Sequence, residues 1–183
     1  SAISSHVWYK SYKNGCGIKD DCAYNISSIE ESATRIAALL EKERQAAQIG
    51  GNAKQILLAG FSEGAQMTSY MQIAKLEYAL GGAAIMDGYP LPPLCDMPGA
   101  DPAAAKRNAS YVGQDMNFFL YHGDADPIFP VGETELAYSG VFAALGVEST
   151  LTFNHTEPGM SHTLTEKEFV SLVGWIHGGK HAK

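Results

Sequence analysis

Three side chains in this sequence are of the types that acyl transfer needs. Ser62 lies in Gly60-Phe-Ser-Glu-Gly64, Asp126 in His122-Gly-Asp-Ala-Asp126-Pro-Ile-Phe-Pro130, and His162 in Glu157-Pro-Gly-Met-Ser-His162. A serine hydroxyl is a weak nucleophile until an imidazole takes its proton, and the imidazole needs a carboxylate to fix its tautomer. Gly-x-Ser-x-Gly is a weak pattern by itself; it carries meaning where a strand runs in and a helix runs out. Asp126 and Asp124 compete for the role of acid, and either also suits an ordinary turn. A lone His is more often a surface or capping residue, so His162 draws its weight from the order Ser, Asp, His.

The neighbouring segments supply the elements such a site requires. Residues 55–59 read as a short buried strand running into the Gly-x-Ser-x-Gly turn, and Met67, Met71, Ala74 and Tyr78 mark one face of the helix that follows. Residues 83–86, 117–122 and 149–153 read as three further strands. Ile29, Ala33, Ile36, Ala37 and Leu40 recur at helical spacing, with capping boxes at Ser27/Glu30 and Ser28/Glu31 and a stop at Gly50-Gly51. Leu136, Val141, Ala144 and Leu145 suit a third helix. Phe169, Leu172, Val173 and Ile176 suit a last one, capped by Thr165 with Glu168. Residues 88–116 are rich in Pro, Gly and Asp and read as a long excursion with a short helix near 102–107. Alternating strands and helices predict an α/β fold, a mostly parallel sheet with helices on both faces, in one domain over residues 1–183. In such sheets ligands sit at the carboxyl ends of the strands, where Ser62, Asp126 and His162 all fall.

These stretches resemble the acyl-protein thioesterase / phospholipase–carboxylesterase family of small α/β-hydrolases. The similarity is carried by Gly60-Phe-Ser-Glu-Gly-Ala65, residues 122–130 and Gly159-Met-Ser-His162. It extends to Ser5-His-Val-Trp-Tyr9, the Ile-Glu-Glu-Ser run after Ser28 and Gly88-Tyr-Pro-Leu-Pro92. The resemblance implies Ser62 as nucleophile, Asp126 as acid and His162 as base, acting on carboxyl esters or thioesters of short to medium acyl chains, with no cofactor and no metal. The Glu63 backbone N–H, next after the nucleophile and opening a helix, is the expected oxyanion donor. Trp8, Tyr89, Phe129 and Met160 are candidate substrate contacts, with simple packing an equal alternative. The family prefers Gln and Gly where this chain has Glu63 and Ala65.

Composition narrows the partners. The 183 residues carry Lys+Arg 13 against Asp+Glu 20, a net charge of -7, with 45% hydrophobic and 18% charged residues. That acidity argues against nucleic acid and anionic membrane surfaces, and leans toward a small ester or thioester substrate. The longest apolar stretch, 136–147, is too short to insert in a membrane. Cys16 and Cys22 are spaced so that they could close a small loop, Cys95 stands apart, and no Cys/His spacing suggests zinc. Sequons stand at Asn25, Asn108 and Asn154. Family resemblance leans to the cytoplasm while sequons and Cys16/Cys22 fit secretion, so the compartment stays open.

One expected part is missing from the sequence. The second oxyanion donor normally comes from a loop after an earlier strand, and no such strand and loop stand out before Ser62. The sequence therefore reads as short at its amino end, leaving 55–59 as an open sheet edge. A second copy of the chain in a homodimer is the favoured cover, ahead of the 4–10 segment or a separate piece. The alternative function is a binding or scaffold relative with an incomplete oxyanion hole. A peptidase is less favoured, and a dienelactone-type enzyme would want Cys at position 62.

Overall fold

The computed structural model describes residues 8–9, 24–91, 116–144 and 155–178. Four strands, β1 (Leu57–Phe61), β2 (Gly82–Met86), β3 (Phe118–Gly123) and β4 (His155–Glu157), form a parallel sheet in the order β1-β2-β3-β4. Helix α1 (Ile26–Arg44) precedes β1. Helix α2 (Glu63–Tyr70) follows it and continues into a wider π-helical turn at Met71–Lys75; α3 (Val131–Ala144) follows β3 and α4 (Glu166–His177) follows β4.

The α/β reading holds, and the alternation of side chains along the strands accounts for it. Ala83, Ile85, Phe118 and Leu120 point to one face and join Ile29, Met67, Ile73, Tyr138 and Phe142 from α1, α2 and its π-helical turn, and α3. Ala84, Met86, Phe119 and Tyr121 point to the other, where Leu172 and Trp175 of α4 cover them. Strands buried on both faces must be apolar at every position, which is why β2 and β3 appear in the sequence as unbroken apolar runs.

Several boundaries and faces differ from expectation. β1 starts two residues later than predicted, because Ala53–Gln55 form a 3₁₀ turn capped by Asn52. Neither predicted capping box forms on α1. Asn25 is the cap, accepting from the Ser28 N–H at 3.0 Å, while Glu30 is drawn away by Tyr70 and Lys75 (Nζ to Oε2 2.7 Å). The helix ends at Arg44; Gly50 and Gly51 lie beyond it, shaping the return turn at φ 58° and 84°. Leu136, Phe169 and Val173, expected to face the core, are exposed; Val141 faces the core as expected, and Tyr138 and Phe142 join it there on α3. The Thr165/Glu168 capping box forms as expected. The predicted strand at 149–153, the helix near 102–107, the pairing of Cys16 with Cys22, and Cys95, Asn108 and Asn154 lie outside the described residues.

β1 is the edge strand, with Leu57 and Ala59 exposed, and among the described residues nothing pairs with its outer side. Trp8 and Tyr9, from the segment offered as one cover, bond instead to the helices: Ser32 Oγ donates to the Trp8 carbonyl, and Tyr9 Oη to Gln66 Oε1.

Glu168 carries a consequence for stability. Its backbone N–H donates to Thr165 Oγ1 at 3.1 Å and one carboxyl oxygen receives the Thr165 N–H, but Oε1 is buried without a hydrogen-bond partner. Burial above all, with Glu157 adding to it, pushes this carboxyl up to about 7, against the pull of the Thr165 N–H. A raised carboxyl favours the folded state while protonated, so its contribution is full below pH 4.5 and is lost as pH climbs through 7. Glu168→Gln keeps the cap and removes the charge. At pH 8 it should stabilise the fold by about 2 kcal/mol, an advantage that shrinks toward about pH 5 in thermal melts.

Candidate active site

Ser62 sits where β1 turns into α2. It takes φ 56° and ψ -121°, a left-handed backbone that few non-glycine residues adopt and that costs about 1–3 kcal/mol. The turn is possible because strand and helix nearly touch: a Cβ on Gly60 would lie 2.1 Å from the Gly64 carbonyl oxygen and 2.7 Å from the Ala65 nitrogen. Gly64 is under no such pressure, its nearest neighbour being Trp8 Nε1 at 3.4 Å. So the first glycine of the motif is a packing requirement and the second is not.

Asp126 lies on the loop after β3 and is buried. Its Oδ1 accepts the N–H groups of Ile128 (2.7 Å) and Phe129 (3.0 Å). That leaves Oδ2 facing His162, whose Nδ1–H donates to it at 2.8 Å. On the far side of the ring, His162 Nε2 accepts the Ser62 hydroxyl at 2.9 Å. The His162 ring packs on Phe61 (centroids 4.9 Å) and meets the edge of Phe129 (5.6 Å).

Asp124, the rival acid, points elsewhere. Its Oδ1 accepts the Gly159 N–H at 2.6 Å, and with the Ala125 N–H to Met160 carbonyl bond (3.1 Å) it laces the β3 loop to the His162 loop. The His162 loop is also anchored at its ends, where Glu157 receives the hydroxyls of Tyr121 (2.6 Å) and Thr165 (2.9 Å).

The other sequence-predicted positions divide. Glu63 opens α2, so its N–H is in the first turn, where no helix carbonyl is available; its carboxylate accepts the Trp8 N–H at 3.3 Å. Trp8 thus stands beside the elbow, 48% exposed. Tyr89 stacks on Phe129 (6.5 Å, 17°), making a row of rings that ends at His162. Met160 is buried against Ala84, Met86, Phe119 and Tyr121, the packing alternative.

Two further residues at the site, Asp87 and His122, are given no role by the sequence, although His122 opens the 122–130 stretch. The strand register that pairs Phe61 with Met86 and Met86 with Tyr121 brings Ser62, Asp87 and His122 to the same level at three adjacent strand ends. His122 Nε2–H donates to the Phe129 carbonyl at 2.6 Å, with Asp126 Oδ2 3.2 Å away. Ligand-type atoms of Asp87, His122 and Asp126 lie within 4.8 Å of one another. The oxygens of Asp126 already receive protein donors, so the trio reads as a hydrogen-bond network behind His162. The signal they share in the sequence is position: each stands at the end of a buried strand, as Ser62 does.

A parallel sheet with a serine on a strained strand-to-helix elbow defines an α/β-hydrolase. The profile of the Phospholipase/Carboxylesterase family matches residues 8–177, and the chain belongs to that family. It is 25% identical over 175 residues to acyl-protein thioesterase 1 of Debaryomyces hansenii (92% of this chain, 65% of that protein). It is 25% identical over 127 residues to acyl-protein thioesterase 1 of Saccharomyces cerevisiae (67% of this chain, 49% of that protein). It therefore spans less than two thirds of either relative. The crystal structure of Arabidopsis thaliana SOBER1 superimposes with a TM-score of 0.66 at 20% identity, over 97% of this chain and 74% of its own.

The elbow geometry separates the two glycines experimentally. Gly60→Ala should cost about 3 kcal/mol or more, since backbone atoms on both sides must move. Gly64→Ala should melt within a few degrees of the parent, and equal melting of the two variants would contradict the close approach.

Proposed function

We propose that this chain is a serine hydrolase that cleaves carboxyl esters or thioesters of short to medium acyl chains through Ser62, His162 and Asp126. The observation that carries the reading is the unbroken run of hydrogen bonds from Ser62 Oγ through the His162 ring to Asp126 Oδ2, at 2.9 and 2.8 Å. Family membership supports the same class of chemistry.

In this reading His162 Nε2 takes the hydroxyl proton as Ser62 Oγ attacks the acyl carbonyl. Asp126 keeps the other ring nitrogen protonated and stabilises the imidazolium that forms. The Glu63 N–H, at the positive end of α2, faces the developing oxyanion. His162 then returns its proton to the departing alkoxide or thiolate, the C–O or C–S bond breaks, and an acyl-Ser62 ester remains. A water, deprotonated by His162, attacks that ester and releases the carboxylic acid and Ser62. The ring row of Tyr89 and Phe129 offers an apolar wall beside the reacting carbon. Among the described residues no helix is long and apolar enough to cross a membrane.

Ser62→Ala should abolish p-nitrophenyl butyrate hydrolysis and labelling by a fluorophosphonate probe; parent-like turnover in that variant would sink the assignment. Absence of labelling in the parent would favour a binding protein. Asp126→Asn should lower kcat by about 10⁴-fold, whereas Asp124→Asn, which keeps an acceptor for Gly159, should stay within about tenfold. The reverse ranking would reassign the acid.

A further inference from the structure

Asp87 is a buried carboxyl that the hydrolytic scheme does not use. It ends β2 beside the serine elbow and, with Ser62, is one of two non-glycine residues held at positive φ (46°) among the described residues. The next residue, Gly88, presses so closely on the elbow that a Cβ there would lie 2.4 Å from Ala65 Cβ and 3.1 Å from the Ser62 carbonyl oxygen. Such strain persists only where surrounding bonds over-determine it. Here the Asp87 N–H donates to the Tyr121 carbonyl at 3.0 Å, and Oδ1 accepts the Gly123 N–H at 2.9 Å. Asp87 thereby holds the end of β3, from which the Asp126 loop departs.

Charge decides what form Asp87 takes. Asp87 and Asp126 flank His122, and all three side chains are essentially sealed from water. Two carboxylates in that space would be costly. The donors are unequally shared: Asp126 receives two backbone N–H groups and the His162 Nδ1–H, while Asp87 has the Gly123 N–H, its Oδ2 is buried without a hydrogen-bond partner, and His122 Nδ1 stands 3.9 Å from Oδ1. Paired acids in unequal environments divide into one charged and one neutral.

We infer that Asp87 is a positioning residue for the hydrolytic site: protonated at working pH, it fixes the end of β3, from which the Asp126 loop departs, so that Asp126 alone carries the charge that faces His162. The titratable groups around it agree. Burial raises the Asp87 carboxyl above its ordinary value and Asp126 adds to this, against the Gly123 N–H and the imidazoles of His122 and His162. From α4 the facing group is Glu168. On the β1–α2 side Ser62 is the neighbour, and the Glu63 carboxylate is turned to the Trp8 N–H.

The inference rests on the serine-hydrolase reading, and the experiment separates the two. Parent, D87N and D87A are compared on p-nitrophenyl butyrate for kcat, KM and the pH profile of kcat/KM, alongside fluorophosphonate labelling and thermal melts. Asn keeps an oxygen for Gly123 and adds no charge, so D87N should hold kcat within about threefold and leave the acid limb where the parent has it. D87A should lower kcat by about 10- to 100-fold at unchanged KM, the scale seen when a supporting partner is lost. Parent-like kcat in folded D87A overturns the positioning role. A downward move of the D87N acid limb by about 0.5 unit or more means that a negative charge was removed, and overturns the neutral form. That second criterion stands even where D87A does not fold, and Glu168, present in both proteins, cancels from the comparison. If the parent is neither active nor labelled at Ser62, the hydrolase reading fails and takes this inference with it; a labelled parent beside an unimpaired D87A defeats the inference alone.

Discussion

The arrangement at the strand ends depends on how Asp126 is held. One of its oxygens is committed to two successive backbone amides of its own loop, Ile128 and Phe129. The carboxyl group can then present its second oxygen in only one direction. That direction sets the plane of the His162 ring, and the ring sets the direction in which the Ser62 hydroxyl is held. The same bonds turn the second oxygen onto the His162 Nδ1–H, 2.8 Å away, so the carboxyl group orients the imidazole and faces it with an acceptor. Positioning and electrostatics therefore come from the same local bonds.

These bonds would be of little use if the loops carrying them could slide. The β3 and β4 loops are close enough that a Cβ on Gly123 would meet the Met160 carbonyl oxygen at 2.1 Å, and Asp124 ties them again through Gly159. Asp126 and His162 thus share one two-loop unit, while Ser62 is fixed separately by the β1–α2 elbow. The sheet register joins the two units, because β2 and its Asp87 lie between them.

Much of this is legible in the order of the amino acids alone. β2 and β3 announce themselves as apolar runs because both faces are covered, and Ser62, Asp126 and His162 stand out because each follows a strand in a fixed order. What stays hidden is decided at a distance. Ser27 and Ser28 look like caps, yet Glu30 is claimed by Tyr70 and Lys75, 40 and 45 positions away. Leu136, Phe169 and Val173 have helical spacing, but spacing does not say which stripe meets the core. Asp87 carries no signal of its own in the sequence, and His122 reads as the end of a strand; their relation to Ser62 appears only when three strands are aligned in register.

The two left-handed residues have a kinetic meaning as well. Ser62 and Asp87 occupy backbone conformations that neither residue would choose alone, so each relaxes as soon as its surroundings loosen. The sheet beneath them rests on broad apolar contact over both faces and has no such incentive. In mild denaturant or at moderate heat the geometry at the strand ends should disperse first, with helix and strand signals still intact.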